Sequence, residues 1–197
     1  MSSSSVPSVP STPSASAPST PPPADLITER LILRPWTTAE ATAVLGGDRP
    51  EGWADDFPAE GDRVIAGLFE HNPQWLGAYG HRLVVERDTG LVVGSLGLFW
   101  PPSEGVVELG YGIVASRRGR GYATEAARAL AEFALTAPEV HTVSAGVELS
   151  NPASVRVLEK AGFRRWTTGE AEHAADGAEN TARYRITRSA GPDASER

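Results

Sequence analysis

Cysteine is absent from the 197 residues of this chain. Without thiols, disulfide frameworks, thiolate metal sites and a cysteine nucleophile are excluded, so any covalent chemistry rests on oxygen and nitrogen. Long apolar runs are absent too: none approaches the roughly 20 residues that a membrane-spanning helix needs. The N-terminus has neither the basic start nor the apolar stretch of a signal peptide, and the expectation is a cytoplasmic protein without a membrane partner. Basic charge is in short supply, since 18 Lys and Arg face 25 Asp and Glu for a net charge of -7. That balance disfavours nucleic acid as a partner but leaves room for a local basic patch that binds a phosphorylated small molecule. His71, His81, His141 and His173 lack metal-ligand spacing, so no metal is expected. What is present is a hydrophobic fraction of 40%, enough to build the core of one ordinary domain.

Residues 1–25 are nearly all Ser, Pro, Thr, Ala and Val, too little apolar surface to offset the entropy of folding, and are expected to form a disordered tail. Residues 189–197 are expected to be a second loose tail, leaving a single domain over 26–188. Inside it, Arg30 to Arg34 alternates as a strand, and Thr37-x-x-Glu40 is a capping box that opens a helix through Leu45. Asp62 to His71 reads as a second helix with Ile65, Leu68 and Phe69 on one face. Three strands follow: His81 to Arg87, Leu91 to Trp100 after the Asp88-Thr89-Gly90 turn, and Val106 to Val114. Thr124 to Leu135 predicts a helix and Thr142 to Glu148 a strand. Asn151 is placed as an N-cap, with Pro152 at the first helical position and Gly162 closing that helix. Phe163 to Thr168 and Arg183 to Thr187 complete an α/β arrangement of a mixed sheet covered by helices.

The stretch richest in chemistry joins the strand Val106 to Val114, through Arg117 to Ala123, to the Thr124 helix. Gly119 and Gly121 remove side chains where backbone must approach a ligand, so successive N–H groups and a helix N-terminus can face an anion together. Arg118 and Arg120 add charge, and a diphosphate suits such a site; a plain tight turn with solvated arginines is the competing reading. The turn has neither the G-x-x-x-x-G-K-[ST] spacing of a nucleotide-hydrolysing loop nor a dinucleotide-type G-x-G-x-x-G.

Arg118-Gly119-Arg120-Gly121-Tyr122-Ala123 is similar to the R/Q-x-x-G-x-G/A signature of the GNAT superfamily of acetyltransferases. The following T-E-A-A, the opening T-E-R-L-I-L-R-P-W (Thr28 to Trp36) and S-N-P-A-S-V-R-V-L-E-K-A-G-F (Ser150 to Phe163) resemble the Rim-type branch, the ribosomal-protein N-terminal acetyltransferases. The resemblance spans about Leu26 to Thr187. It implies a mixed, mostly antiparallel twisted sheet of about six to seven strands flanked by four helices, acetyl-coenzyme A as acyl donor, and a primary amine as acceptor, on a protein N-terminus or a small molecule. A homodimer is compatible with it. It also implies that Ile113, Val114, Arg118, Gly119, Arg120, Gly121, Tyr122, Ala123 and Asn151 bind the coenzyme, with Asn151 equally readable as a helix cap.

Acetyl transfer needs a neutral amine, whereas a free α-amine titrates near ~8 and a lysine near ~10.4. The resemblance places Glu108 where the general base sits, acting directly or through water; taken alone, it reads as a solvent-facing strand residue between Val107 and Leu109. A strand N–H near Tyr111 to Ile113 is expected to serve the developing oxyanion. The family's tyrosine acid falls at Leu158, so that role does not carry over, and Ser154 is the remaining candidate for meeting the departing thiolate. Glu51, Asp55, Asp56, Glu60 and Asp62, with Glu170, Glu172, Asp176 and Glu179, can form an acidic mouth for a cationic acceptor or two solvated loops. The competing function is a coenzyme-binding module without catalysis, acting as a sensor or partner domain.

Overall fold

A computed structural model describes residues 24–166 and 180–188. The strands are β1 (Leu26–Ile27), β2 (Leu31–Pro35), β3 (His81–Glu86), β4 (Val92–Leu98), β5 (Val106–Ile113), β6 (Thr142–Glu148), β7 (Arg164–Trp166) and β8 (Thr181–Thr187). The helices are α1 (Thr38–Gly46), α2 (Glu60–Leu68), α3 (Tyr122–Ala134) and α4 (Pro152–Lys160). One eight-stranded sheet runs in the order β1-β2-β3-β4-β5-β6-β8-β7. Every neighbouring pair is antiparallel except β5 and β6. The sheet thus holds more strands than the six to seven expected. The addition is β1, whose two residues pair Leu26 with Leu33 and Ile27 with Ile32 and are too short to show a period in sequence.

Local chemistry accounts for the helix ends. Thr37 and Glu40 close the expected reciprocal box, with the Glu40 N–H donating to Thr37 Oγ1 and the Thr37 N–H to the Glu40 carboxylate. Asn151 caps α4 by accepting the Ser154 N–H at 3.1 Å, with Pro152 in the first turn. The second helix differs from expectation. It starts at Glu60, and Asp62 is its third residue, 4% exposed, reaching back to the Ala59 N–H at 2.8 Å and accepting the Ser95 hydroxyl. Leu68 is exposed and Ala66 and Phe69 face inward, so the buried stripe is shifted from the predicted one.

The core lies on both faces of the sheet, and β4 is buried along its whole length. On one face Trp36 packs edge-on against Phe69 and at a tilt against Phe57. On the other, α3 presents Ala126, Ala127, Leu130, Ala131 and Ala134, mostly short side chains that let its axis lie close to β5 and β4. Leu158 of α4 is fully buried, a burial that contributes about 1.5–3 kcal/mol. This packing fixes where α3 begins relative to the end of β5, and the site forms at that point.

Candidate functional site

Strands β5 and β6 pair only at Val106–Thr142, Val107–Val143 and Glu108–Ser144, and beyond Glu108 they part. Strand β6 then stays with β8 over its full length, while β5 stays with β4. The Phe99 N–H donates to the Glu108 carbonyl and the Val114 N–H to the Val93 carbonyl, so even-numbered residues of β5 turn their polar groups toward β4. The alternation of an antiparallel ladder then directs the N–H groups of Tyr111 and Ile113 into the gap. They are edge donors, left open by the splay of two strands.

The chain leaves β5, makes a short 3₁₀ turn at Ala115–Arg117, and enters α3. Arg118 donates its N–H to Ala115 and Glu125 donates its own to Gly121, but among the described residues no backbone N–H from Gly119 to Thr124 finds an acceptor. The cap of α3 is Gly121, which has no side chain to cover those donors. Gly119 and Gly121 both lie in the left-handed region, at φ 77° and 81°, where other residues are strained. Thr37 and Asn151 close α1 and α4; α3 opens onto a groove of about 1030 Å³ with its positive dipole end and free amides exposed.

Charge around this turn is ordered. Glu86, at the end of β3 and 3% exposed, lies 3.1 Å from Arg117 and 3.6 Å from Arg120, and accepts the Thr89 hydroxyl at 2.8 Å. Burial pushes its carboxyl up, but hydrogen bonds from Thr89, Tyr122 and Arg117 outweigh that and hold it below the usual carboxylate range. Arg118 donates from Nε to the Ile113 carbonyl at 3.0 Å. Arg128, Arg156 and Lys160 line the far part of the groove, and Arg128 is tied to the Lys160 carbonyl at 2.5 Å. A chain of net charge -7 thus collects cations here.

Of the residues singled out in the sequence, Ile113, Arg118, Gly119, Gly121, Tyr122, Ala123, Asn151 and Ser154 line the groove. Arg120 does not line it and leans toward Glu86, and Val114 is buried with its N–H spent on Val93. Glu108 is exposed on the β5 face opposite Val107 and Leu109, outside the groove lining. Gly112 shares that face, lines the groove and has open space where a Cβ would stand, so an approach to the parting from the Glu108 side is unobstructed at that position. Leu158 belongs to the core. Tyr111, which sequence reasoning used only for its backbone, lines the groove and donates its hydroxyl to the Ser154 carbonyl at 3.2 Å, while burial raises its pKa. Its signal was its place three residues after Glu108 on a strand that ends at the turn.

Two carboxylates of the first acidic group serve the fold. Asp62 is buried, and burial pushes its carboxyl up despite the hydrogen bonds from Ser95 and Ala59. Asp56 is committed to the Ser116 N–H at 2.8 Å and hydroxyl at 2.7 Å. Glu170, Glu172, Asp176 and Glu179 lie outside the described residues, as do His173 and the tails 1–23 and 189–197. Among the described residues no group of His, Asp and Glu is placed to hold a metal ion, and no helix is long and apolar enough to cross a membrane.

Comparison with known proteins agrees with this architecture. The N-acetyltransferase YjdG of Bacillus subtilis, itself uncharacterised, is 37% identical over 82 residues, covering 41% of this chain and 49% of that protein. The chain spans about half the length, or less, of the first curated relatives it matches, with shares of 49%, 32% and 48%. Among solved structures, a GNAT-family acetyltransferase of Bacillus anthracis superposes with a TM-score of 0.59 at 22% identity, covering 83% of this chain and 98% of that one. An acetyltransferase of Agrobacterium tumefaciens gives 0.57 at 23%, covering 84% and 95%, and a dodecameric spermidine N-acetyltransferase of Vibrio cholerae gives 0.56 at 19%, covering 86% and 100%. These similarities establish the fold. The family model described as acetyltransferase (GNAT) domain matches residues 30–164, well over half of the chain, from β2 through the open turn and α4 to the start of β7, and the chain therefore belongs to the GNAT acetyltransferase family.

Proposed function

We propose that the protein transfers the acetyl group of acetyl-coenzyme A to a primary amine by direct attack in a ternary complex. The observation that carries this reading is the unbroken run of unpaired N–H groups from Gly119 to Thr124 at an uncapped helix start, beside a parted sheet. A diphosphate satisfies such a run, and Arg118 lies beside it. The groove continues past Tyr111 and Ile113 toward Asn151 and Ser154, an extended slot in which the free strand N–H groups can pair with an amide-bearing arm. These features fit acetyl-coenzyme A, which when bound supplies the acetyl thioester.

The chain's own residues then divide the work. Glu108 takes the proton of the incoming amine, directly or through water, on the face where Gly112 leaves the strand bare. The Tyr111 or Ile113 N–H points into the parting, where it can stabilise negative charge on the acetyl oxygen. Ser154 and Tyr111 both line the groove, where either hydroxyl can meet the departing sulfur, and the Tyr111 hydroxyl lies 3.2 Å from the Ser154 carbonyl. Tyr111, its pKa raised by burial, keeps its proton at neutral pH and is the second candidate for that role.

The acceptor belongs with the Rim-type resemblance of Thr28 to Trp36 and Ser150 to Phe163, which favours a protein N-terminus, with a small-molecule amine as the alternative. Thiol release from acetyl-coenzyme A, measured over peptides beginning with Ala or Ser, polyamines, aminoglycosides and free amino acids, tests the reading. Amine-dependent release supports it. Binding of coenzyme A without release by any amine assigns the chain instead to a sensor or partner domain.

A further inference from the structure

Two motifs singled out in the sequence, the opening Thr28-Glu29-Arg30-Leu31 and Thr124-Glu125-Ala126-Ala127, meet at the open turn. Glu125, in the first turn of α3, accepts the Thr28 hydroxyl at 2.6 Å, the Arg30 backbone N–H at 2.8 Å and the Arg30 Nε at 2.7 Å. A further Arg30 nitrogen, Nη2, lies 2.7 Å from the same carboxylate. The remaining end of that guanidinium, Nη1, donates to the Arg120 carbonyl at 2.8 Å, and the group lies 5.1 Å from the centre of the Tyr122 ring. One arginine therefore spans the turn from Arg120 to Glu125. Both Thr28 and Arg30 line the groove.

This corner is itself braced. Arg87, just past β3, donates from Nη1 to the Thr28 and Glu29 carbonyls at 2.9 and 2.8 Å, and its N–H donates to the Arg30 carbonyl at 2.9 Å. The preceding residue, Glu86, holds Arg117 on the other shoulder of the turn. Burial pushes the Glu125 carboxyl up, but the bonds from Thr28 and Arg30 outweigh it and keep it ionised below the usual range.

A turn carrying two glycines has wide conformational freedom, and anion binding must offset the cost of ordering it. A trans peptide holds its C=O and N–H on opposite sides, so fixing the Arg120 oxygen also fixes the direction of the Gly121 N–H. The same contact cancels a carboxylate that would otherwise repel phosphate at the helix start. We propose that Arg30, held by Glu125 and Thr28, is a positioning residue that keeps the coenzyme turn preformed, making the corner before β2 part of the coenzyme site. The inference rests on the coenzyme reading above.

The test uses the full chain, with coenzyme A binding measured by calorimetry and kinetics measured against both substrates. Arg30→Ala and Glu125→Gln each raise the KM for acetyl-coenzyme A roughly tenfold, the scale of one charge-assisted hydrogen bond, while kcat at saturation and the amine KM change less than about twofold. The double variant is no worse than the worse single variant, because the two side chains form one device. Arg30→Lys recovers only part of the loss, since an ammonium has no planar fork with which to hold Glu125 and Arg120 together. Thr28→Val, which removes one hydroxyl, gives a smaller rise in a protein that folds. Unchanged coenzyme affinity in Arg30→Ala, or additive losses in the double variant, overturns the latch and leaves the acetyltransferase reading standing. A wild-type protein that binds no coenzyme A overturns both.

Discussion

Mild acid is expected to destabilise the protein through one side chain before the paired carboxylates titrate. His81 of β3 is 2% exposed, and its ring centre lies 5.1 Å from Trp75, 5.3 Å from Phe99 and 5.9 Å from Phe69. Gly97 opposite has no room for a Cβ, which would stand 2.1 Å from His81 Nδ1, and Nε2 has no partner among the described residues. Burial in this aromatic cage lowers the pKa from 6.5 to about 4. Between those two values the unfolded chain binds a proton that the native state refuses. Stability is therefore fully present above the unfolded value and falls as the pH drops toward the folded one. The slope approaches about 1.4 kcal/mol per pH unit inside that window, and the whole window is worth about 3 kcal/mol. Urea unfolding followed by tryptophan fluorescence at several pH values from 7.5 to 4.5 measures it, with His81→Phe as reference. Carboxylates titrate in both proteins and cancel in the difference, whatever the absolute stability of the variant. Equal slopes in the two proteins would refute the assignment.

Glu108→Gln is expected to lower turnover most at neutral pH and to recover partly in alkali, where the amine loses its proton unaided; a flat, fully active profile across pH would return Glu108 to a surface role. Gly119→Ala and Gly121→Ala each force a side chain into the left-handed region and should cost about 1–2 kcal/mol in thermal or urea unfolding. A Cβ on Gly121 would stand 3.4 Å from Arg30 Nη2, whereas none of its kind meets anything at Gly119, so coenzyme affinity should fall further in the Gly121 variant. Arg82 is 1% exposed and donates to the carbonyls of Ala24, Leu33 and Ala78 at 2.9, 3.0 and 2.8 Å. Arg82→Met should cost about 3 kcal/mol in urea unfolding by leaving those acceptors unmet, and a loss under 1 kcal/mol would show that water replaces the guanidinium.

Features carried by neighbouring residues were legible in the sequence. The Thr37–Glu40 box, the Asn151-Pro152 helix start and the glycine turn before α3 each depend on spacings of a few residues, and the structure places them as read. The limits appear where a residue's partner lies far along the chain. Asp62 looked like a surface carboxylate because its partner Ser95 is 33 positions away, and Glu125 looked like an ordinary helix residue because Arg30 is 95 positions away. Tyr111 was hidden similarly, since its hydroxyl contact with Ser154 crosses from a strand to a helix 43 positions later. Strand β1 escaped because two residues carry no alternation, and only its pairing with β2 defines it. The carboxylates read as a mouth for the acceptor misled in the same way, since Asp56 bonds Ser116, 60 positions away.

We propose that the open turn and the parted strands serve acetyl transfer to an amine. Thiol release from acetyl-coenzyme A by the wild-type protein, with the acceptor panel and mass analysis of each amine, tests it most directly. Release is expected to depend on one class of amine, to yield the matching N-acetyl product, and to fall sharply at neutral pH in Glu108→Gln. Tight binding of coenzyme A with no amine-dependent release from any acceptor would contradict it.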